Sequence, residues 1–273
     1  MSRILHEYNY LSPEGGECFN LPGSVVMQHL RMEQLKPEDP KFLYRYPSGD
    51  PSGWTWKKPR RWADSMLYGL ERLNGISASD SLRFTVYWCE GERDADSIAA
   101  LNLPWAVAVS HHGGAGKATP AQVGYLRGWL GSVVVCADMD KAGAACALAR
   151  YDLLTAIGIR RECLRIVKPA GLFVKNRDIT DHLSDGHALD ALANVDVPRL
   201  RARVGRMSPA ERIDGSGWKT GDPEVDNTDI RTWAPRVEPP QEHAERLKSH
   251  QPEERAVFVV LPSPPPEEVS GNE

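Results

Sequence analysis

Phe84-Thr85-Val86-Tyr87-Trp88-Cys89, followed directly by Glu90-Gly91-Glu92-Arg93-Asp94, is the stretch that decides the fold. An apolar run of aromatic and β-branched residues of this length predicts a buried strand. It breaks into an acidic, glycine-containing turn, and a helical pattern follows over 92–101. The same alternation continues downstream. Residues 105–109 predict a second strand. Thr119-Pro120 opens a helix running to about 130, with threonine as N-cap and proline in the first helical position. Residues 132–137 predict a third strand, 140–157 a helix closed by Gly158, and 163–167 a fourth strand. A short helix over 178–183 ends near Gly186. Strands alternating with helices predict an α/β fold, a mainly parallel sheet with helices on both faces. Residues 187–206 are expected to add one more helix, broken at Pro198.

Upstream the pattern is different. Glu7-Tyr8-Asn9-Tyr10 before Ser12-Pro13-Glu14-Gly15-Gly16 predicts a strand and a turn. Residues 42–46 and 54–56 predict a hairpin around a long loop. Residues 61–73 carry helical spacing at Trp62, Met66, Leu70 and Leu73. Residues 20–40 show no clear pattern. The predicted organisation is a β-rich segment at 1–80, an α/β domain at 81–190, a C-terminal helix at 191–206 and a tail at 207–273.

The tail is set apart by composition. It holds ten of the chain's 21 prolines, with seven Lys or Arg against fourteen Asp or Glu. The chain's net charge of −4 is therefore −7 in the tail and about +3 over 1–206. Such a tail buries too little apolar surface to offset its ordering entropy and is expected to be largely disordered. The run Ala256-Val257-Phe258-Val259-Val260-Leu261 within it suits strand addition to a partner, or folding back on the body's own sheet edge. The five cysteines form no CxxC pair, which argues against a zinc site and a disulfide framework. The first residues lack the apolar core of a signal peptide, and no run is long enough to cross a membrane. A reduced, cytoplasmic protein is expected.

Ligands of parallel α/β sheets bind at the carboxyl ends of the strands. There the sequence places acids. Glu90 and Asp94 follow the first strand, Asp138 and Asp140 the third, and Asp178 and Asp181 the fourth. One acid at a strand end is ordinarily a helix cap. Three clusters at matching positions repel one another and call for a hard cation such as magnesium. Gly91 beside Glu90 is expected to allow a sharp turn and close approach of a phosphate.

Glu90, Gly91 and Asp94 match a strand ending in EGxxD, and Asp138 and Asp140 one ending in DxD. In this the region from about 83 to 186 resembles the TOPRIM domain of bacterial-type primases, topoisomerases and some nucleases. Gly113-Gly114-Ala115-Gly116-Lys117 and Asp178-Ile179-Thr180-Asp181-His182-Leu183 narrow the resemblance to phage and plasmid primases. The resemblance implies a TOPRIM fold, Rossmann-like, with Mg²⁺ as cofactor and Mn²⁺ as the alternative. It implies Glu90 as general base or metal-linked activator and Asp138 and Asp140 as catalytic metal ligands. Asp94 and Asp178 would be further metal ligands or would orient them.

The glycine-rich stretch is not an ATPase loop, because His111 and Ala118 stand where glycine and Ser or Thr are needed. A backbone cradle with Lys117 near a phosphate fits better. Lys57, Lys58, Arg60 and Arg61, after Trp54 and Trp56, suit nucleic-acid phosphates and bases as well as they suit a solvated basic loop. His111 and His112 are expected in a loop. The function so implied is a primase-like nucleotidyltransferase in DNA replication, making short primers on single-stranded DNA from nucleotides, with a replicative helicase as possible partner. The alternatives are a TOPRIM nuclease using the same acids, and a non-catalytic DNA-binding or helicase-associated TOPRIM protein. The chain is too short for the strand-passage domains of a topoisomerase.

Overall fold

The computed structural model describes residues 3–12, 25–48, 53–58, 66–113, 118–170 and 177–207. The expected acidic tail, including 256–261, lies outside the described residues.

Two sheets form the body. The first is antiparallel, in the order β1 (Ile4–Leu11), β2 (Val25–Met32), β3 (Phe42–Pro47), β4 (Trp54–Thr55). The hairpin read from 42–56 is present as β3 and β4. Strand β2 fills the stretch that showed no pattern. Gln28 and His29 are buried beside Val26, Met27 and Leu30, so no polar–apolar alternation survives there.

The second sheet has the order β10-β9-β8-β6-β7-β5. Its four central strands, β6 (Thr85–Cys89), β7 (Ala106–His111), β8 (Ser132–Cys136) and β9 (Leu164–Lys168), are parallel. Short antiparallel strands, β5 (Leu67–Tyr68) and β10 (Ala193–Asn194), flank them. The α-helices among the described residues are α1 (Glu92–Ala99), α2 (Pro120–Gly124), α3 (Lys141–Ala156), α4 (Ile179–Ser184) and α5 (Val197–Gly205). This is the α/β architecture expected, a mainly parallel sheet behind a β-rich segment.

Alternate residues of the parallel strands enter two cores. Val86, Trp88, Val133 and Val135 pack with α2, α3 and α5. Tyr87, Cys89, Val134 and Cys136 pack with α1, α4 and the first sheet, through Tyr8, Tyr10, Val26 and Met27. Strands buried on both faces read as continuous apolar runs, which is why these four were legible.

Three expected elements differ. Residues 67–72 are a short strand and a 3-10 turn rather than the end of a helix, and 61–65 lie outside the described residues. Residues 187–206 hold a 3-10 turn, β10 and α5, because Pro198 sits in the opening turn of α5 and starts that helix instead of breaking one. Helix α2 keeps its Thr119 cap and a Gln122 capping box but ends at Gly124, before a run of turns.

Candidate functional site

Strand β6 lies between β7 and β8. The connection leaving β6 passes through α1 to β7 on one side. The connection leaving β8 passes through α3 to β9 on the other. The carboxyl ends of β6 and β8 are therefore the topological switch point of the sheet, where a crevice opens in parallel α/β folds. Glu90 follows β6 there, and Asp138 lies two residues beyond the end of β8.

Glu90 Oε2 and Asp138 Oδ1 are buried and have no hydrogen-bond partner among the described residues. Such groups are rare because desolvation is costly. Burial pushes the Glu90 carboxyl up to about 7; Arg150 opposes this, while Asp140 and Asp94 add to it. Burial, then repulsion from Glu90, Asp94 and Asp178, holds Asp138 well above the ordinary carboxylate range. Asp94 is pushed up to about 6 by burial and by Asp178, against two hydrogen bonds from Thr180. The acids thus share one electrostatic field.

The remaining acids are engaged locally. Asp140 is the N-cap of α3, accepting from the Gly143 N–H at 2.6 Å. Asp178 is the N-cap of α4, accepting from the Asp181 N–H at 2.9 Å, and also pairs with Arg93 at 2.6 Å. Asp181 completes that capping box from the third helical position and is not itself the cap. Asp94 Oδ1 accepts from the Thr180 N–H and hydroxyl at 2.9 and 2.6 Å, tying α1 to α4.

Glycine matters at one point in particular. A Cβ on Gly143 would lie 2.8 Å from both Cβ and the carbonyl oxygen of Asp138, so only glycine lets α3 begin beneath that residue. Gly91 plays no such part. It caps α1 with φ −116°, an extended conformation open to any residue, so no sharp turn depends on it. Among the described residues, no atom beyond its chain neighbours lies within 4 Å of where its Cβ would be.

Among the described residues, no three His, Cys, Asp or Glu side chains form a ready cation cage. Magnesium does not need one. It keeps several waters and is held by one or two carboxylates plus substrate phosphates. The two orphaned oxygens of Glu90 and Asp138 fit that donor set, with Asp140, Asp94 and Asp178 able to act through water.

Lys57 and Lys58 are exposed after β4 of the first sheet, with Trp56 62% exposed beside them. Arg60, Arg61 and Lys117 lie outside the described residues. His111 is not in a loop. It ends β7, buried, with Nδ1 accepting from the Trp88 indole at 3.4 Å and Nε2 lying 3.8 Å from Cys146 Sγ.

Two residues of consequence escaped the sequence reading. Glu92 points away from Glu90 and into the first sheet. Its Oε1 accepts from the Tyr10 hydroxyl at 2.5 Å and lies 2.7 Å from His29 Nδ1. Burial alone would raise its carboxyl; these two partners outweigh that and hold it below its ordinary value. The other is Arg150, wholly buried beneath the acids.

No protein-family model and no curated protein matches the sequence. Solved structures do show similarity. The E. coli primase catalytic core shares 18% identity over 69% of this chain and 55% of that one, with a TM-score of 0.46. A DnaG catalytic core shares 14% over 83% and 66%, at 0.47. The primase fragment of the Bacteriophage T7 primase-helicase protein shares 18% over 66% and 58%, at 0.42. This chain spans between about half and two thirds of the length of these three structures. The resemblance read from the two acidic motifs is to the same group, the bacterial and phage primases.

Proposed function

We propose that this chain is a magnesium-dependent, primase-like nucleotidyltransferase that makes short primers on single-stranded DNA during replication. The supporting observation is the pair of buried, unpartnered carboxylate oxygens of Glu90 and Asp138 at the ends of adjacent parallel strands. In the reaction a nucleotide hydroxyl attacks the α-phosphorus of an incoming nucleotide. A new P–O bond forms, pyrophosphate leaves, and the hydroxyl proton must be taken up. Bound magnesium, with manganese as the alternative, would neutralise phosphate charge and align the attacking and leaving oxygens.

The chain's own residues have distinct tasks in this reading. Glu90 is the general base or metal-linked activator that the motif resemblance implies. Asp138 offers a free oxygen to the cation. Asp140, Asp94 and Asp178 orient ligands from helix-end positions while serving the helices they begin or join. Lys57, Lys58, Arg60, Arg61, Lys117 and the open backbone at Gly91 are proposed phosphate contacts. A replicative helicase is the proposed partner, on the strength of the motif resemblance.

The test is ribonucleotide incorporation on single-stranded DNA with Mg²⁺, beside an Asp138→Asn/Asp140→Asn variant. Short labelled oligonucleotides from the unaltered protein alone are expected. No product, even with a cognate helicase added, would overturn autonomous primer synthesis. Cleavage of the DNA in the same tube would assign the acids to a nuclease that uses water as nucleophile.

A further inference from the structure

Arg150 lies in the middle of α3 with no solvent exposure. A guanidinium carries a permanent charge and five donors, and burying it is costly unless both are answered. Two of its nitrogens are answered by main chain, while Nε has no partner among the described residues. Nη1 donates to the carbonyl of Trp88 and Nη2 to that of Cys136, each at 2.8 Å. Trp88 stands two residues before Glu90, and Cys136 two residues before Asp138. One planar fork therefore spans β6 and β8 at the level where each strand gives way to its acid. Its charge lies in the field of the acids that follow those two strands.

We propose that Arg150 is a positioning residue, whose fork clamps the ends of β6 and β8. It thereby sets the spacing of the two oxygens that receive the cation. The inference rests on the cation reading above. A lysine keeps the charge but lacks the rigid planar fork, so Arg150→Lys separates the fork from the charge alone.

Mn²⁺ binding to the full chain, followed by electron paramagnetic resonance, tests this without reference to activity. Unaltered protein is compared with Arg150→Lys, Arg150→Gln and Asp138→Asn, each checked for folding by circular dichroism. The expected result is that the unaltered chain binds Mn²⁺, Asp138→Asn loses it, and folded Arg150→Lys binds at least tenfold more weakly with an altered bound-ion spectrum. Unchanged affinity and spectrum in folded Arg150→Lys would overturn the clamp. Absence of binding by the unaltered chain, or binding indifferent to Asp138→Asn, would overturn the cation reading itself and the clamp with it. If both Arg150 variants fail to fold, Arg150 serves the fold alone and the proposal is overturned.

Discussion

Glu90 and Asp138 are acids placed where they are least comfortable, and this has a measurable pH signature. In the folded chain Glu90 is pushed up to about 7 from an ordinary 4.5. Between those values the folded state holds the extra proton, so stability falls as pH rises through the window. The metal-free protein is expected to melt at a lower temperature at pH 8 than at pH 5, and Glu90→Gln/Asp138→Asn to flatten that slope. A flat profile in the unaltered chain would sink the account of repelled carboxylates. Gly143→Ala forces a methyl against Asp138 and is expected to cost about 1–3 kcal/mol, read from urea denaturation. These acids were legible because each ends an apolar run. Arg150 was not. In the sequence it is one charged residue in an alanine-rich helix, and nothing local says that its fork reaches two strands. Gly143 was silent for the same reason, since what it accommodates is Asp138, five residues away, brought close only by the start of α3.

Elements carry a second set of tests, because several acids serve helices as well as any ligand. Asp140→Ala is expected to lose about 1 kcal/mol with the cap of α3, whereas Asp140→Asn keeps the cap and most of that stability. If Asp140 also serves the cation, Asp140→Asn weakens Mn²⁺ binding despite an unchanged melt; intact binding would leave it a cap only. The parallel strands and their helices were readable from continuous apolar runs and from Thr119-Pro120. Strand β2 was not, since the burial of its polar residues is satisfied by distant partners: Gln28 by Asn9 and Arg45, His29 by Glu92. The spacing of Met66, Leu70 and Leu73 imitated a helix because a short strand and a 3-10 turn happened to place apolar side chains at those intervals.

At the scale of the whole molecule the two sheets are joined by polar ties inside an apolar seam. Tyr10 and His29 meet Glu92, and the Gly113 N–H meets the Tyr44 hydroxyl at 3.1 Å. Tyr10→Phe leaves a buried carboxylate short of a donor and is expected to cost about 1–3 kcal/mol in urea denaturation. The Glu92 carboxyl is held below its ordinary value, so its contribution is present near neutrality and is lost as pH falls through the folded value. Acid sensitivity is therefore expected to shrink in Glu92→Gln. Composition could not reveal these ties, because they join residues more than 60 positions apart. Glu92 also carries a lesson about interchangeability. It stands two residues from Glu90 and two from Asp94, yet its carboxylate belongs to the first sheet. A foreign N-terminal unit grafted ahead of residue 80 would inherit a naked acid in the first turn of α1, unless it brought its own tyrosine and histidine to meet it.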